Sequence, residues 1–180
     1  MDYLKSDDAL RLHGSMQLTA WTKGAVPYWI EKGYELADAR RNAYFDGHAM
    51  KKIIVPNLVV NVGLQLIAEL LTGDDTLGLT YHAIGTGTDP AGTTQTTLID
   101  EEERKAFTSR YRNGYTASLS VFYTAAESTY YLQEAGIFGG ASASATPDSG
   151  VMLARTLLAY NNGGGTVDLT YDYSLTINRA

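Results

Sequence analysis

Apolar and polar residues alternate in the C-terminal part of the chain with the two-residue period of a β-strand. In residues 167–177 (VDLTYDYSLTI), the residues Val, Leu, Tyr, Tyr, Leu and Ile fall on one face, and Asp, Thr, Asp, Ser and Thr fall on the other. Residues 116–125 (TASLSVFYTA) alternate in the same way. Because successive side chains of a strand point to opposite faces, both patterns predict strands with one buried and one solvated face.

Four other stretches also predict strands, and turn residues separate them. These are residues 51–55 (KKIIV), 79–84 (LTYHAI), 130–138 (YYLQEAGIF) and 151–160 (VMLARTLLAY). The NNGGG run at 161–165 lies between the last two strands of the chain, so we expect those strands to pair as a hairpin.

A helical period follows Pro56, where apolar residues recur every three or four positions. Asn61 stands where a helix cap is expected, and Gly73 stands where a helix would stop. The pattern predicts a helix over about residues 58–72, apolar enough to be largely buried. The charged stretch 96–107 (TTLIDEEERKAF) predicts one or two further helical turns. The recurring apolar residues of the main helix are Val62, Leu66, Ile67 and Leu70.

Residues 1–50 differ in character from the rest of the chain. They hold both tryptophans, several charges and two short candidate strands, SMQLTAW and VPYWIEKG, separated by polar breaks. We therefore divide the chain into an N-terminal arm or β-ribbon, 1–50, and a β-sandwich-like domain, 51–180, which we expect to fold without the arm. The predicted fold class is mainly β (α+β): an antiparallel sandwich-like domain with one buried helix and an extended N-terminal arm.

Composition and charge narrow the range of functions. A chain of 180 residues suffices for one domain with a real core, and 13 tyrosines and 18 glycines favour strands and tight turns. The net charge of −6 argues against nucleic acid as a partner, and no run approaches the ~20 apolar residues of a membrane span. The absence of cysteine excludes disulfides and thiolate chemistry. The acidic, polar start of the chain lacks the pattern of a signal peptide, so we expect synthesis in the cytoplasm.

The glycine-rich stretch 81–92 (YHAIGTGTDPAG) is the part of the sequence that most resembles a phosphate site. Gly85 and Gly87 begin a dinucleotide-binding pattern, but Pro90 occupies its third glycine position. Gly87 and Gly92 have the spacing of a phosphate loop, but Thr93 stands where that loop requires lysine. We therefore interpret the stretch as a tight turn after a core strand.

No catalytic or metal-binding set emerges from the remaining polar residues. The histidines, at positions 13, 48 and 82, lie far apart and are interpreted as surface or half-buried residues. Asp168 and Asp172 share a strand face about 13 Å apart, too far for a glycosidase pair, and are interpreted as solvated. The run DEEER at 100–104 lacks the spacing of a calcium loop. We predict no catalytic residue, no metal and no cofactor.

Several tyrosines lie near the ends of predicted strands. They could stack on sugars, or they could be edge and core residues of a sandwich. The sequence leaves both interpretations open. These tyrosines are Tyr111, Tyr115, Tyr130 and Tyr131.

The order of the motifs resembles a family of tailed-bacteriophage virion proteins, whose best-known members are the N-terminal attachment domains of tail-collar fibres. The stretches NLVVNVGLQLIAELLTG, LTYHAIGTGTDPAGTTQTTLIDEEER, YLQEAGIFGG and GVMLART follow one another over about residues 55–160. The resemblance implies architectural roles for the matching positions. These positions are Asn61, Gly63, Leu64, Gly85, Gly87, Leu98, Glu102, Arg104, Glu134, Gly136, Ile137 and Phe138.

The chemistry of these positions suggests how they would act. Gly136 inside a strand predicts a bulge or a close approach of another backbone segment. Ile137 or Phe138 would anchor the core. Glu134 would form a semi-buried ion pair with Arg104 or Arg155.

The resemblance also implies a function. We expect a non-enzymatic virion structural protein that is made in the host cytoplasm, forms a homo-oligomer and docks on other virion proteins. Because no fibre shaft follows residue 180, a tail, baseplate or neck accessory or fibre-attachment protein is expected rather than a whole fibre. The alternatives are a capsid decoration protein and, less favoured, a module that binds host glycans.

Overall fold

The computed structural model describes residues 10–179, which form ten strands and three helices. The strands are β1 (Leu10–Thr22), β2 (Ala49–Pro56), β3 (Leu58–Val59), β4 (Leu79–Gly85), β5 (Glu101–Ala106), β6 (Ser109–Asn113), β7 (Thr116–Tyr123), β8 (Tyr131–Gly139), β9 (Val151–Asn161) and β10 (Val167–Arg179). The helices are α1 (Ala25–Glu31), α2 (Leu36–Phe45) and α3 (Asn61–Thr72).

The strands form two five-stranded antiparallel sheets that pack face to face. Sheet A has the order β2-β1-β10-β7-β6, and sheet B has the order β3-β9-β8-β4-β5. The mainly β, sandwich-like α+β fold is therefore confirmed. The core between the sheets is mainly apolar. It includes the alternating apolar residues that the sequence predicts in β7, from Leu119 to Tyr123, and in β10, from Val167 to Leu175.

The opposite face of β10 is solvated only in part: Ser174 is exposed, and Asp172 and Thr176 are partly exposed. Asp168 and Thr170 are buried on the outer face of sheet A. Helices α1 and α2 lie over this end of the sheet and form a second apolar cluster with Trp21 and Phe122. These helices cover part of the outer face and turn it into an interior surface. The periodicity of the sequence does not show this covering.

Residues 10–22 form a central strand rather than an arm. β1 pairs with β10 along its whole length, from Leu10 with Arg179 to Thr22 with Val167, and it pairs with β2 on its other side. The division of the chain at residue 50 therefore cuts through sheet A. Residues 1–9, the remaining part of the expected arm, lie outside the described residues.

Three local predictions are wrong. The segment VPYWIEKG, predicted as a strand, forms most of α1, and residues 101–106, predicted as helical turns, form β5. The last two strands, β9 and β10, belong to different sheets, so the NNGGG segment is a crossover and not a hairpin turn. The Asn162 side chain fixes this crossover by donating to Ser128 Oγ and to the Val167 carbonyl, each at 3.0 Å.

Helix α3 occurs where the sequence predicts it, but it is less buried than expected. It begins at Asn61 itself, with Val60 at the cap position, and ends at Gly73 in the left-handed conformation, as predicted. A Cβ at Gly63 would lie 2.3 Å from the Leu153 carbonyl oxygen, so glycine lets the helix lie directly on β9. Leu64 and Leu71 point to solvent, and Leu71 is 84% exposed.

Candidate functional site

A fully buried ion pair lies in sheet B, where β8 and β9 run side by side. Arg155 Nε donates to Glu134 Oε2 at 2.7 Å, and neither side chain is exposed. Of the two partners that the sequence left open for Glu134, the structure selects Arg155. Two opposite charges can be buried together only when further hydrogen bonds satisfy their remaining donors and acceptors. The partners of those hydrogen bonds therefore show which part of the fold the pair stabilises.

The Glu134 carboxylate holds both ends of the segment between β4 and β5. It accepts hydrogen bonds from the backbone N–H groups of Gly87 at 3.1 Å, Ile99 at 3.1 Å and Asp100 at 2.8 Å. Hydrogen bonds to an ionised carboxylate are stronger than neutral ones, so three of them fix the backbone firmly. The pair therefore acts as an internal clamp on the loop.

Arg155 holds the middle of the same loop. Its Nη1 donates to the Asp89 carbonyl oxygen at 2.9 Å and to Gln95 Oε1 at 3.1 Å. Gln95 in turn accepts from the Gly92 N–H at 2.8 Å. The ion pair thus fixes the position of most of residues 86–100 through hydrogen bonds.

The glycines of this loop make room for the carboxylate. A Cβ at Gly87 would lie 2.4 Å from Glu134 Oε1, and a Cβ at Gly85 would lie 2.3 Å from the Asp100 carbonyl oxygen. The anion that the glycine-rich turn holds is a side chain of the protein itself. The interpretation as a turn after a core strand agrees with this geometry.

Other positions of the resemblance lie along β8 and at the end of the loop, and Gly136 is paired with Arg155 in the β8–β9 ladder. Leu98 and Phe138 are buried together, and a Cβ at Gly136 would lie 3.0 Å from Leu98 Cδ2 and 2.9 Å from Phe138 Cε2. The atoms closest to Gly136 thus belong to side chains and not to another backbone segment as predicted, and the β8–β9 register shifts next to it, between Ile137 and Phe138. Ile137 faces the core between the sheets.

Arg104 forms a separate buried contact. Its Nε donates to Glu101 Oε1 at 2.6 Å, its guanidinium lies 4.0 Å from the centre of the Phe138 ring, and its Nη1 donates to the Ser149 carbonyl oxygen at 2.7 Å. Arg104 therefore fastens the loop before β9. Three further positions of the resemblance are exposed: Asn61, Leu64 and Glu102. Two of them still contact the loop, since the Asn61 N–H donates to the Thr93 carbonyl oxygen at 2.8 Å and Glu102 Oε1 accepts from Thr86 Oγ1 at 3.2 Å.

His82 is fully buried between the sheets, so its assignment as a surface or half-buried residue is wrong. Its Nδ1 lies 2.9 Å from the Tyr123 hydroxyl and its Nε2 lies 3.1 Å from the Tyr173 hydroxyl. Burial, and then the nearby Arg104 charge, lower the pKa of His82 to about 3. Burial raises the pKa of the Tyr123 and Tyr173 hydroxyls. The cluster is neutral, and it could not be found from sequence because its members lie in three separate strands.

Asp168 and Asp172 fasten the two N-terminal helices to sheet A. Asp168 accepts from the backbone N–H groups of Gly24 at 2.7 Å and Ala125 at 2.8 Å. Asp172 accepts from Arg40 Nη1 at 2.8 Å and from Ser120 Oγ at 2.6 Å. Both carboxylates are bound by protein groups. Asp168 is buried and not solvated as expected, whereas Asp172 remains partly exposed.

Residues 10–179 form at least two concave surfaces that are open to ligands or partners. The first, which we call the apolar pocket, has a volume of about 460 Å³ and lies at one end of the sandwich. Both sheets and α3 contribute to it, and Arg112 is the one charged residue in its lining among the residues that the structure describes. Its apolar lining includes Leu12, Leu66, Ile67, Leu70, Leu175 and Ile177.

The second surface, which we call the basic groove, has a volume of about 650 Å³ and lies between α2 and β2 on the outer face of sheet A. Gln17, Thr19 and Trp21 of β1 form its floor. Its charged lining residues are Arg40, Arg41, Lys51 and Lys52, and no acidic residue of the described chain lines it.

Within residues 10–179, no three His, Asp or Glu side chains come together in a way that could hold a metal ion. In the same range, no helix has the length and apolar character needed to cross a membrane. No protein-family model, curated protein or solved structure matches the chain. The resemblance to virion proteins therefore rests on the motifs themselves.

Proposed function

We propose that the protein is a structural component of a tailed-bacteriophage particle that docks on other virion proteins, as a tail, baseplate or neck accessory or as a fibre-attachment protein. The observation that carries the proposal is the open apolar pocket at one end of a rigid sandwich. Solvent-exposed apolar surface of this kind is typical of protein–protein contact sites.

The surroundings of the pocket support docking. Leu12 of β1 pairs with Ile177 of β10 at its rim, and Ile177 is 50% exposed. Tyr115, also in the lining, is 83% exposed. An aromatic side chain beside an apolar cavity is a common anchor in protein interfaces, because it buries a large area at low entropic cost. Covering this surface by a partner would remove these side chains from water.

The buried clamp supports the same function. Glu134 and Arg155 hold the 86–100 loop against sheet B through five hydrogen bonds to loop atoms. A docking protein gains affinity when its surface is already ordered, because less entropy is lost on binding. Six positions of the resemblance lie in or next to this clamp, which agrees with the architectural roles that the resemblance implies: Gly85, Gly87, Leu98, Glu134, Gly136 and Phe138.

Cryo-electron microscopy of the phage particle tests the proposal. We expect density for the fold on the tail, neck or baseplate, in several symmetry-related copies. Density on the capsid lattice would instead support the alternative, a capsid decoration protein. Absence of the protein from purified particles would overturn both.

Substitutions at the pocket test the docking surface itself. Ile177→Asp places a charge at the rim of the pocket and should abolish incorporation into particles, measured by immunoblot of purified virions. Phe45→Asp is the matched control, because Phe45 is exposed but does not line the pocket. Equal incorporation of both variants would show that the pocket is not the docking site.

A less favoured function is recognition of host glycans through exposed tyrosine rings. Tyr111, Tyr115 and Tyr131 are all more than half exposed, which such stacking requires. Binding to a glycan array that is lost in Tyr→Ala variants would support this function.

A further inference from the structure

We propose that the basic groove binds an extended acidic segment of a partner protein. This inference deepens the proposed function and rests on it, since the partner would be another virion protein. It concerns a surface distinct from the apolar pocket. Leu12 lines the pocket and Trp21 lines the groove, and nine residues of extended strand place them about 30 Å apart.

The charge of the groove is opposite to that of the whole chain. Four cationic side chains line it, although the chain carries a net charge of −6. Such a local reversal attracts a short anionic segment, while the overall charge disfavours a long polyanion. A protein segment with a few carboxylates fits this field better than a nucleic acid does.

Two of the four cations are available to a ligand. Arg40 is bound to Asp172, and Lys51 lies over the Tyr160 ring at 5.6 Å. Lys52, in contrast, forms no salt bridge within the described part of the chain. Arg41 pairs with Asp38 at 2.7 Å, but both side chains are exposed, so the pair is weak and a carboxylate of the partner can replace Asp38.

The shape of the groove favours an extended segment. One wall is β2, an outer strand of sheet A that pairs only with β1 within that sheet. The other wall is α2, and the Trp21 ring is fixed in the floor by a hydrogen bond from its Nε1 to Thr170 Oγ1. Tyr44 and Met50 add apolar surface at the sides. An extended chain can thus place carboxylates on Arg41 and Lys52 and an apolar side chain between them.

A labelled synthetic peptide tests the inference on the isolated full-length protein. The probe is a ten-residue peptide of alternating Glu and Thr with one central Leu, and binding is followed by fluorescence anisotropy. We expect saturable binding that weakens about tenfold when the salt concentration is raised from about 50 mM to about 500 mM, because salt screens exposed charges. The corresponding Lys peptide should not bind.

Charge reversal locates the site. Arg41→Glu combined with Lys52→Glu should weaken binding of the Glu peptide by at least about tenfold, since two attractive contacts become repulsive. The control is Arg11→Glu combined with Arg110→Glu. It changes the net charge equally at exposed residues outside the groove. Thermal unfolding verifies that both double variants are folded.

Several outcomes would overturn the inference: absence of Glu-peptide binding, equal weakening by the control variant, or tighter binding of a single-stranded oligonucleotide of the same charge. The proposed function fails separately. If the protein is absent from particles but binds the peptide through the groove, the proposed function is wrong and the ligand class of the groove stands.

Discussion

Arg155 and Glu134 form an ion pair from which water is fully excluded, with Nε and Oε2 2.7 Å apart. The carboxylate also holds three backbone N–H groups of the neighbouring loop. The charge of each side chain offsets much of the desolvation cost of burying the other.

Removing the charge of Glu134 should therefore destabilise the protein strongly. Glu134→Gln keeps the shape of the side chain but leaves the Arg155 charge buried without its counter-ion. We expect a loss of about 3–5 kcal/mol in the free energy of unfolding, measured by urea denaturation. Asp38→Asn, which breaks the exposed pair with Arg41, should cost less than about 1 kcal/mol. Similar losses in the two variants would show that the buried pair is not a clamp.

The close approach of Glu134 to the glycine loop can be tested with a single methyl group. Gly87→Ala would place a Cβ 2.4 Å from Glu134 Oε1 and 2.5 Å from Ile99 Cβ, so the loop or the carboxylate must move. We expect a loss of about 1–3 kcal/mol in the free energy of unfolding.

Gly92→Ala in the same loop is the matched control for Gly87→Ala. The nearest atom to its Cβ would be Gln95 Cδ at 4.0 Å, an ordinary contact. Its effect should stay within about 0.5 kcal/mol. A stability unchanged in both variants would contradict the geometry of the clamp.

The burial of His82 makes stability depend on pH. Because its pKa is about 3 in the folded protein and about 6.5 in the unfolded chain, the unfolded state binds the proton more readily. The contribution of neutral His82 to the free energy of unfolding is fully present above pH 6.5. It decreases by about 1.4 kcal/mol per pH unit as the pH falls toward 3.

His82→Gln should flatten the dependence of the free energy of unfolding on pH in this range, measured by urea denaturation at a series of pH values. Glutamine keeps a donor and an acceptor but does not titrate there. An identical slope in the His82→Gln variant and the unmodified protein would mean that His82 becomes protonated without unfolding.

Truncation distinguishes a central strand from an arm. A chain that starts at Lys23 lacks β1, and with it the core residues Met16, Leu18 and Ala20 and one of the two pairing partners of β10. We expect it to be insoluble or to lack a cooperative thermal transition. A chain that starts at Leu10 keeps every strand that the structure describes and should melt cooperatively. A folded protein starting at Lys23 would support the original division of the chain.

The sequence predicted those elements in which the periodic pattern of apolar residues arises from packing against one continuous core. The alternation in β10 arises because Leu169, Tyr171 and Tyr173 face one continuous core, so the pattern is local and readable. The end of α3 was equally accessible, because Gly73 adopts the left-handed conformation that glycine favours there.

Elements that depend on contacts distant in sequence were not predicted. The polar face of β10 looks solvated, yet Asp168 is buried beneath α1 and α2 and accepts a hydrogen bond from Gly24, far away in the chain. The NNGGG segment has the composition of a hairpin turn, but composition does not tell whether the next strand joins the same sheet or the opposite one. His82 has no neighbours in sequence that would reveal its buried tyrosine partners.

The candidate site was foreseen in part. The sequence named Glu134 and offered Arg104 and Arg155 as partners, and the structure selects Arg155. It could not show that the partner of the glycine loop is Glu134, because residues 86–100 and β8 meet only in the folded chain. The basic groove, too, combines α2 with β1 and β2, whose charges look scattered along the sequence.

The pairing of Leu10 with Arg179 also constrains how the chain reaches its native state. Within residues 10–179, β10 is the sole bridge between β1 and β7 in sheet A, so that sheet cannot form completely until β10 has been synthesised. During translation β1 must remain unpaired along the edge that β10 later occupies, and the closing step joins two segments that lie far apart in the sequence. Such long-range closure is slow, so refolding should take milliseconds to seconds rather than microseconds.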